Sequence, residues 1–181
     1  MKRIISALMI AALVLTGCSS YKAGTVKDGV YSNGIFSVTT PDGFVSYTGD
    51  DTAKVSHYIV CYNKAQKRGA EAFKCEYAAT GGTSDIIVAS EQDSSITTAS
   101  DLADIIAKQM EGDILGYSVA ENKDVTVDGV PFRKIVFSSS GGNITYYITQ
   151  KDKTFVYVYI LTLDHDFTGA GDKALDCFGA P

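Results

Sequence analysis

The amino-acid sequence predicts an α+β domain in which a mostly antiparallel sheet lies between helical layers (α/β/α). Three observations carry this prediction. Turn signals recur at hairpin spacing in the second half of the chain: Asp128-Gly129, Gly141-Gly142-Asn143 and Lys151-Asp152-Lys153. The run after the last of them, Phe155-Val156-Tyr157-Val158-Tyr159-Ile160-Leu161, is apolar at every position, as a strand covered on both faces must be. Candidate helices flank it in sequence, one over residues 100–111 and one at the C-terminus through Ala174, Leu175 and Phe178.

The chain opens with a different kind of segment. Met1, Lys2 and Arg3 form a basic head, and Ile4 to Leu15 are apolar apart from Ser6. This run is too short to span a bilayer, which takes about 20 residues. A basic head, a short apolar core and small residues behind it describe a secretory signal. The stretch Leu15-Thr16-Gly17-Cys18 resembles the lipobox of bacterial lipoproteins. That resemblance implies cleavage after Gly17 and a diacylglyceryl group, with palmitate-type acylation, on Cys18. Two acyl chains hold a membrane stably, whereas one myristoyl-length chain binds only marginally. The expected organisation is a signal peptide over residues 1–17, a lipidated tether over 18–29, and one globular domain over 30–181. The tether, rich in Ser, Gly, Lys and Asp, reads as flexible coil.

Loss of residues 1–17 removes Lys2 and Arg3 and shifts the formal charge from −5 to −7. An overall negative chain argues against nucleic acid and anionic lipid surfaces as partners, because both need a basic patch. The expected partners are the membrane, through the lipid on Cys18, and an envelope protein or cell-wall component. The expected location is extracytoplasmic.

The domain begins with turn chemistry. Asn33-Gly34 is a strong short-range turn signal. Phe36 and Val38 then alternate with Ser37 and Thr39, Pro41-Asp42-Gly43 turns the chain, and Phe44, Val45 and Tyr47 suggest a return strand. Residues 50–80 leave alternatives open. Val55, Ile59, Tyr62, Gln66, Phe73 and Tyr77 fit one long helix, while Lys67-Arg68-Gly69 would turn the chain between two strands or two helices. Ile86-Ile87-Val88 reads as a buried strand. Leu102, Ile105, Ile106 and Met110 form the apolar stripe of the next helix, with Ser100 as its N-cap. Val125 and Val127, then Phe132 to Phe137, flank Asp128-Gly129 as a hairpin, and Ile144 to Gln150 supply a third strand.

The segment from Tyr31 through Asn33-Gly34 and Pro41-Asp42-Gly43 to Phe44 resembles the opening of PsbP-like domains, where a strand ends in a Pro-Asp-Gly turn followed by an aromatic. The later order also fits: a helix after Ser100, a strand pair around Val127-Asp128-Gly129, an aromatic strand and a final helix. The resemblance covers residues 30–178 and departs over 50–80, where this chain carries extra material. It implies an α/β/α layered fold and a non-catalytic accessory or binding role. No family site residue carries over.

Chemistry is sparse. The two histidines are His57 and His165. His165 sits in Asp164-His165-Asp166, but neighbours on an extended chain point to opposite sides, so the trio reads as a solvated loop with Asp166 or Thr168 capping the last helix. His57 has no ligand spacing around it and reads as structural. There is no Gly-x-Ser-x-Gly elbow and no phosphate-cradling glycine loop, so no cofactor or metal is expected. The rival class is an envelope hydrolase using His57 or His165. It requires either histidine to share a pocket with Asp, Glu, Ser or Cys side chains. Tyr146, Tyr147, Tyr157 and Tyr159 cluster on two strands. They serve as core under the helices or, facing outward, as a binding platform; the core reading is preferred.

With Cys18 assigned to lipid, Cys61, Cys75 and Cys177 remain. Cys61 and Cys75 are spaced equally about Arg68, so a fold-back there sets them opposite each other as a disulfide closing a loop of about 15 residues. One continuous helix would instead hold them roughly 21 Å apart. Cys177 reads as a small buried residue.

Overall fold

The computed structural model describes residues 21–111, 116–163, 173–174 and 176–179. Cys18 and His165 lie outside the described residues.

The first strands are short. β1 (Thr25–Lys27), β2 (Val30–Ser32) and β3 (Ser37–Thr39) form an antiparallel meander. The Asn33-Gly34 signal makes its second turn. The Asn33 carboxamide oxygen accepts from the amides of Ile35 and Phe36, and Gly34 takes a positive φ of 75°. Pro41-Asp42-Gly43 does not close a hairpin. It passes the chain to another sheet, where β4 (Val45–Thr48) lies at one edge.

A 3-10 helix (Gly49–Lys54) leads into α1 (Tyr58–Arg68), then β5 (Ala72–Gly81) and β6 (Ser84–Gln92). The chain therefore does fold back at Arg68-Gly69, with Gly69 in the left-handed C-cap conformation at φ 85°. The limbs are one helix and one strand, a combination that none of the three alternatives contained. β5 hides its period. The register slips between Cys75 and Tyr77, so Cys75 belongs to one face of the sheet and Tyr77 to the other, with Glu76 in the bulge.

α2 (Ala99–Glu111) buries Leu102, Ala103, Ile106 and Met110. Its cap is Thr98 rather than Ser100. The Thr98 hydroxyl accepts from the Asp101 amide, and the Asp101 carboxylate accepts from the Thr98 amide, a reciprocal capping box. β7 (Ser118–Val127), β8 (Val130–Ser139), β9 (Gly142–Lys151) and β10 (Thr154–Leu163) follow as a meander. Asp128 and Gly129 both have positive φ, as the two-residue hairpin turn between β7 and β8 requires.

The large sheet is antiparallel throughout in the order β4-β5-β6-β10-β9-β8-β7. The all-apolar strand β10 is central and buried from Thr154 through Leu161, as expected of a strand covered on both sides. Its odd-numbered residues Phe155, Tyr157, Tyr159 and Leu161 join a core with α1 and α2. Its even-numbered residues Val156, Val158 and Ile160 join a second core with Tyr31, Phe36, Val38, Ala174 and Cys177. The layer over this second face is composite. It holds the helical residues Lys173, Ala174 and Asp176 and a small sheet, β1-β2-β3 completed by β11 (Phe178–Gly179). Phe178, expected within the final helix, is a strand residue paired with Val38.

The tether reading is corrected from Tyr21 onward. Residues 21–29 are not a free coil: β1 pairs with β2, and Tyr21 and Gly24 are hydrogen-bonded to Glu76. The donors on this segment meet a buried acceptor, which local sequence does not reveal.

Candidate functional site

Polar groups that the sequence leaves scattered meet under α1. On β6, Asp85, Ile87, Ala89 and Glu91 alternate onto the helix-covered face. The acids bracket two apolar residues, and the six-residue span between them is about 20 Å. α1 runs above. From His57 at its N-cap to Arg68 in its last turn is about 16 Å of helix rise. The lengths match closely enough for each end of α1 to reach one acid of a single strand.

At the first end, His57 Nδ1 is hydrogen-bonded to Asp85 Oδ2. The Asp85 side chain is buried, whereas His57 is about one-third exposed. The imidazole also stacks over Tyr159, with ring centroids 6.4 Å apart. Ser56 Oγ lies 3.5 Å from the same Nδ1. Among the described residues, no serine or cysteine is hydrogen-bonded to Nε2, the nitrogen that would have to activate a nucleophile if Asp85 orients the ring. A carboxylate and an imidazole thus converge, and the geometry orients the ring without supplying a reacting group.

At the second end, the Arg68 guanidinium donates to Glu91 Oε2 at 2.6 Å and to Gln109 Oε1 of α2 at 3.0 Å. Tyr157 donates its hydroxyl to the same Glu91 oxygen at 3.3 Å. The arginine and glutamate side chains are 3% and 0% exposed. Burial raises the Glu91 carboxyl above its usual range even against the nearby guanidinium and the hydrogen bonds of Arg68 and Tyr157. Burial also pushes the Tyr157 and Tyr146 hydroxyls well above their ordinary value, so they remain protonated donors. Arg68 Nε, Glu91 Oε1 and the Tyr159 hydroxyl are buried without a hydrogen-bond partner among the described residues.

On the opposite face, the β5 bulge turns Glu76 toward the N-terminal segment. Its carboxylate accepts from Tyr21 Oη at 2.8 Å, Tyr31 Oη at 2.5 Å and the Gly24 amide at 2.8 Å. Burial, with the Glu76 charge adding to it, raises both tyrosine hydroxyls and keeps them as donors. Gly24 suits this place because a Cβ there would meet the Tyr31 ring and the Ser32 carbonyl at 2.5–2.6 Å. Sequence reasoning missed Glu76; the register slip that exposes its role is a property of strand pairing.

Cys61, Cys75 and Cys177 are free thiols, all buried. Cys61 and Cys75 stand on the two limbs and share one core, but the disulfide expected from their equal spacing is not made. Equal spacing sets residues opposite only when both limbs rise equally. Here one limb is a helix, rising about 1.5 Å per residue, and the other is a turn followed by a strand from Ala72, rising about 3.3 Å per residue, so equal counts along the chain are not equal distances. Burial raises all three thiols, Cys75 and Cys177 to about 12, which leaves them protonated and unreactive at neutral pH. The tyrosine cluster is core: Tyr146, Tyr157 and Tyr159 are buried under the helices, and Tyr147 packs half-buried on the other face.

Among the described residues, no group of three or more His, Cys, Asp or Glu side chains is arranged to hold a metal ion, and no helix is long and apolar enough to cross a membrane. The described residues line several clefts. One of about 340 Å³ lies at the end of the sheet, lined by Glu71, Asp93, Ser94 and Lys153 among others.

No protein-family model matches the chain. No curated protein sequence matches it. Among solved structures, the chain is similar to the solution structure of cyanobacterial PsbP (CyanoP) from Synechocystis sp. PCC 6803. The TM-score is 0.50 at 10% sequence identity, over 93% of this chain and 99% of that one. The likeness shows a PsbP-like fold, in agreement with the α+β architecture expected from the sequence.

Proposed function

We propose that this chain is an extracytoplasmic lipoprotein, anchored through a lipid on Cys18, whose PsbP-like domain serves as a non-catalytic binding or accessory protein at the cell envelope. The anchor half rests on the basic head, short apolar run and Leu15-Thr16-Gly17-Cys18. The non-catalytic half is carried by one observation: His57, Asp85, Arg68 and Glu91 are paired with one another and fasten α1 to β6. Groups committed to holding a helix on a sheet are structural ties first.

The anchor is tested by metabolic labelling with a fatty acid. Cys18→Ala should abolish incorporation and block cleavage after Gly17, and label retained at the wild-type level would refute the assignment. The alternative, an envelope hydrolase using His57 or His165, draws among the described residues on the His57–Asp85 pair. Screening the lipidated protein for hydrolysis of cell-wall and ester substrates should give no activity that His57→Ala removes.

A further inference from the structure

The end of the large sheet at which β5 and β10 begin and β6 and β9 finish gathers three features. Ala72, Gln92, Thr154 and Lys151 are linked there by register: Ala72 pairs with Gln92, Gln92 with Thr154, and Thr154 with Lys151. The N-terminal segment is held at the same end, because Tyr21 and Ala23 share a cleft with Ala72, Phe73, Lys74, Gln92 and Thr154. Beside that cleft runs an apolar flank of α1. Phe73 is in ring contact with Tyr58 and Tyr62, and Ile59 and Tyr62 are 51% and 37% exposed.

Charge at this end departs from the average of the chain. Lys22, Lys67, Lys74, Lys151 and Lys153 are all exposed around it. Four acids stand among them: Asp93 is buried and holds Ser95, the exposed Glu71 carboxylate accepts from Ser94, the exposed Asp101 carboxylate accepts from Thr97 of the neighbouring cleft, and Asp152 is exposed between two of the lysines. In a chain that is negative overall, the lysines at this end thus outnumber the carboxylates, five to four, and tyrosine and phenylalanine, side chains that favour a membrane–water interface, fringe it.

Where the chain leaves the described structure chooses the occupant. Tyr21 is fixed to buried Glu76, and only Ser19 and Ser20 separate it from Cys18. Three residues at full extension span about 10 Å. A lipid on Cys18 would bring this end, and not the opposite one, against the bilayer.

We infer that this end of the sheet, with Tyr62 and Phe73 on one flank of α1 and lysines including Lys67 and Lys74 exposed around it, is a membrane-docking face that rests on anionic headgroups and fixes the orientation of the domain. The inference rests on the proposed lipidation of Cys18. It overrides the expectation, drawn from net charge, that anionic surfaces are disfavoured as partners, because headgroups sense the local field within roughly 10 Å and not the sum over the chain.

The chain contains no tryptophan, so a single introduced one reports its own position. The lipidated mature protein is reconstituted into phosphatidylcholine vesicles with and without phosphatidylglycerol, using lipids brominated near the headgroup. Tyr62→Trp should be quenched severalfold more than Leu163→Trp, which lies at the opposite end of β10, with the contrast greater in anionic vesicles. Adding Lys67→Glu and Lys74→Glu should reduce the quenching while the protein still floats with the vesicles. Flotation with equal quenching at both sites, or none at Tyr62→Trp, would overturn the docking face and leave the lipid anchor standing. Failure of the wild-type protein to float would overturn the anchor and the docking face together. Tyr62→Trp quenched only when an envelope extract is added would assign the surface to a protein partner instead.

Discussion

Each face of the seven-stranded sheet buries a carboxylate, and the two are held by different means. Under the helices, Glu91 is met by a cation, Arg68, and the pair leaves Arg68 Nε and Glu91 Oε1 without partners among the described residues. Under the small sheet, Glu76 is met by neutral donors, two tyrosine hydroxyls and one backbone amide, which engage both of its oxygens. The first arrangement is strong only as a pair, since removing one partner strands a buried charge. The second spreads the stabilisation over three bonds and also fastens a separate piece of chain. What differs is what each tie joins: Arg68–Glu91 positions a helix on a strand, whereas Glu76 closes the N-terminal segment onto the domain.

Introducing a charge where no cation waits breaks the comparison most sharply. Val158→Asp adds a carboxylate to the small-sheet face at a fully buried position and should cost about 4 kcal/mol or more. A melting temperature unchanged by it would mean that this face is open to water.

Arg68→Met comes next. It should cost about 3–5 kcal/mol at neutral pH because Glu91 stays buried without its partner. The pH dependence has a definite sign. The Glu91 carboxyl is already raised in the folded state, and losing Arg68 raises it further. A raised acid leaves stability intact below its unfolded value of about 4.3 and withdraws it as pH climbs through the folded value. The deficit should therefore shrink on acidification, and Arg68→Met combined with Glu91→Leu should recover most of it in urea titrations.

Glu76→Gln should have a smaller effect, about 2 kcal/mol, because the amide turns a donor toward groups that are themselves donors. Its signature is local. Hydrogen exchange should accelerate over residues 21–27 while β6 and β10 stay protected. Uniform loss of protection would mean that the latch and the sheet unfold as one unit.

The smallest effect concerns the thiols. Cys61, Cys75 and Cys177 should resist alkylation in the folded protein and react fully in denaturant, because all three are buried and protonated. A peptide linking Cys61 to Cys75 in unreduced protein would restore the bond that the structure lacks.

Sequence by itself determined what depends on neighbours along the chain. Asp128-Gly129 turned a hairpin because both residues accept positive φ, and Phe155 to Leu161 became a doubly covered strand because no position in it is polar. Leu102, Ile106 and Met110 made an amphipathic helix at a spacing of 3.6. The tertiary structure alone decided what depends on register and reach. The bulge at Glu76, the order in which β6 lies beside β10, the pairing of His57 with Asp85 and of Arg68 with Glu91, and the fastening of Tyr21 to Glu76 all join positions more than ten residues apart, most of them more than twenty. A carboxylate reads the same in sequence whether it meets water, an arginine or two tyrosines. Only the approach of other elements sets which of these it meets, and desolvation then makes the difference large.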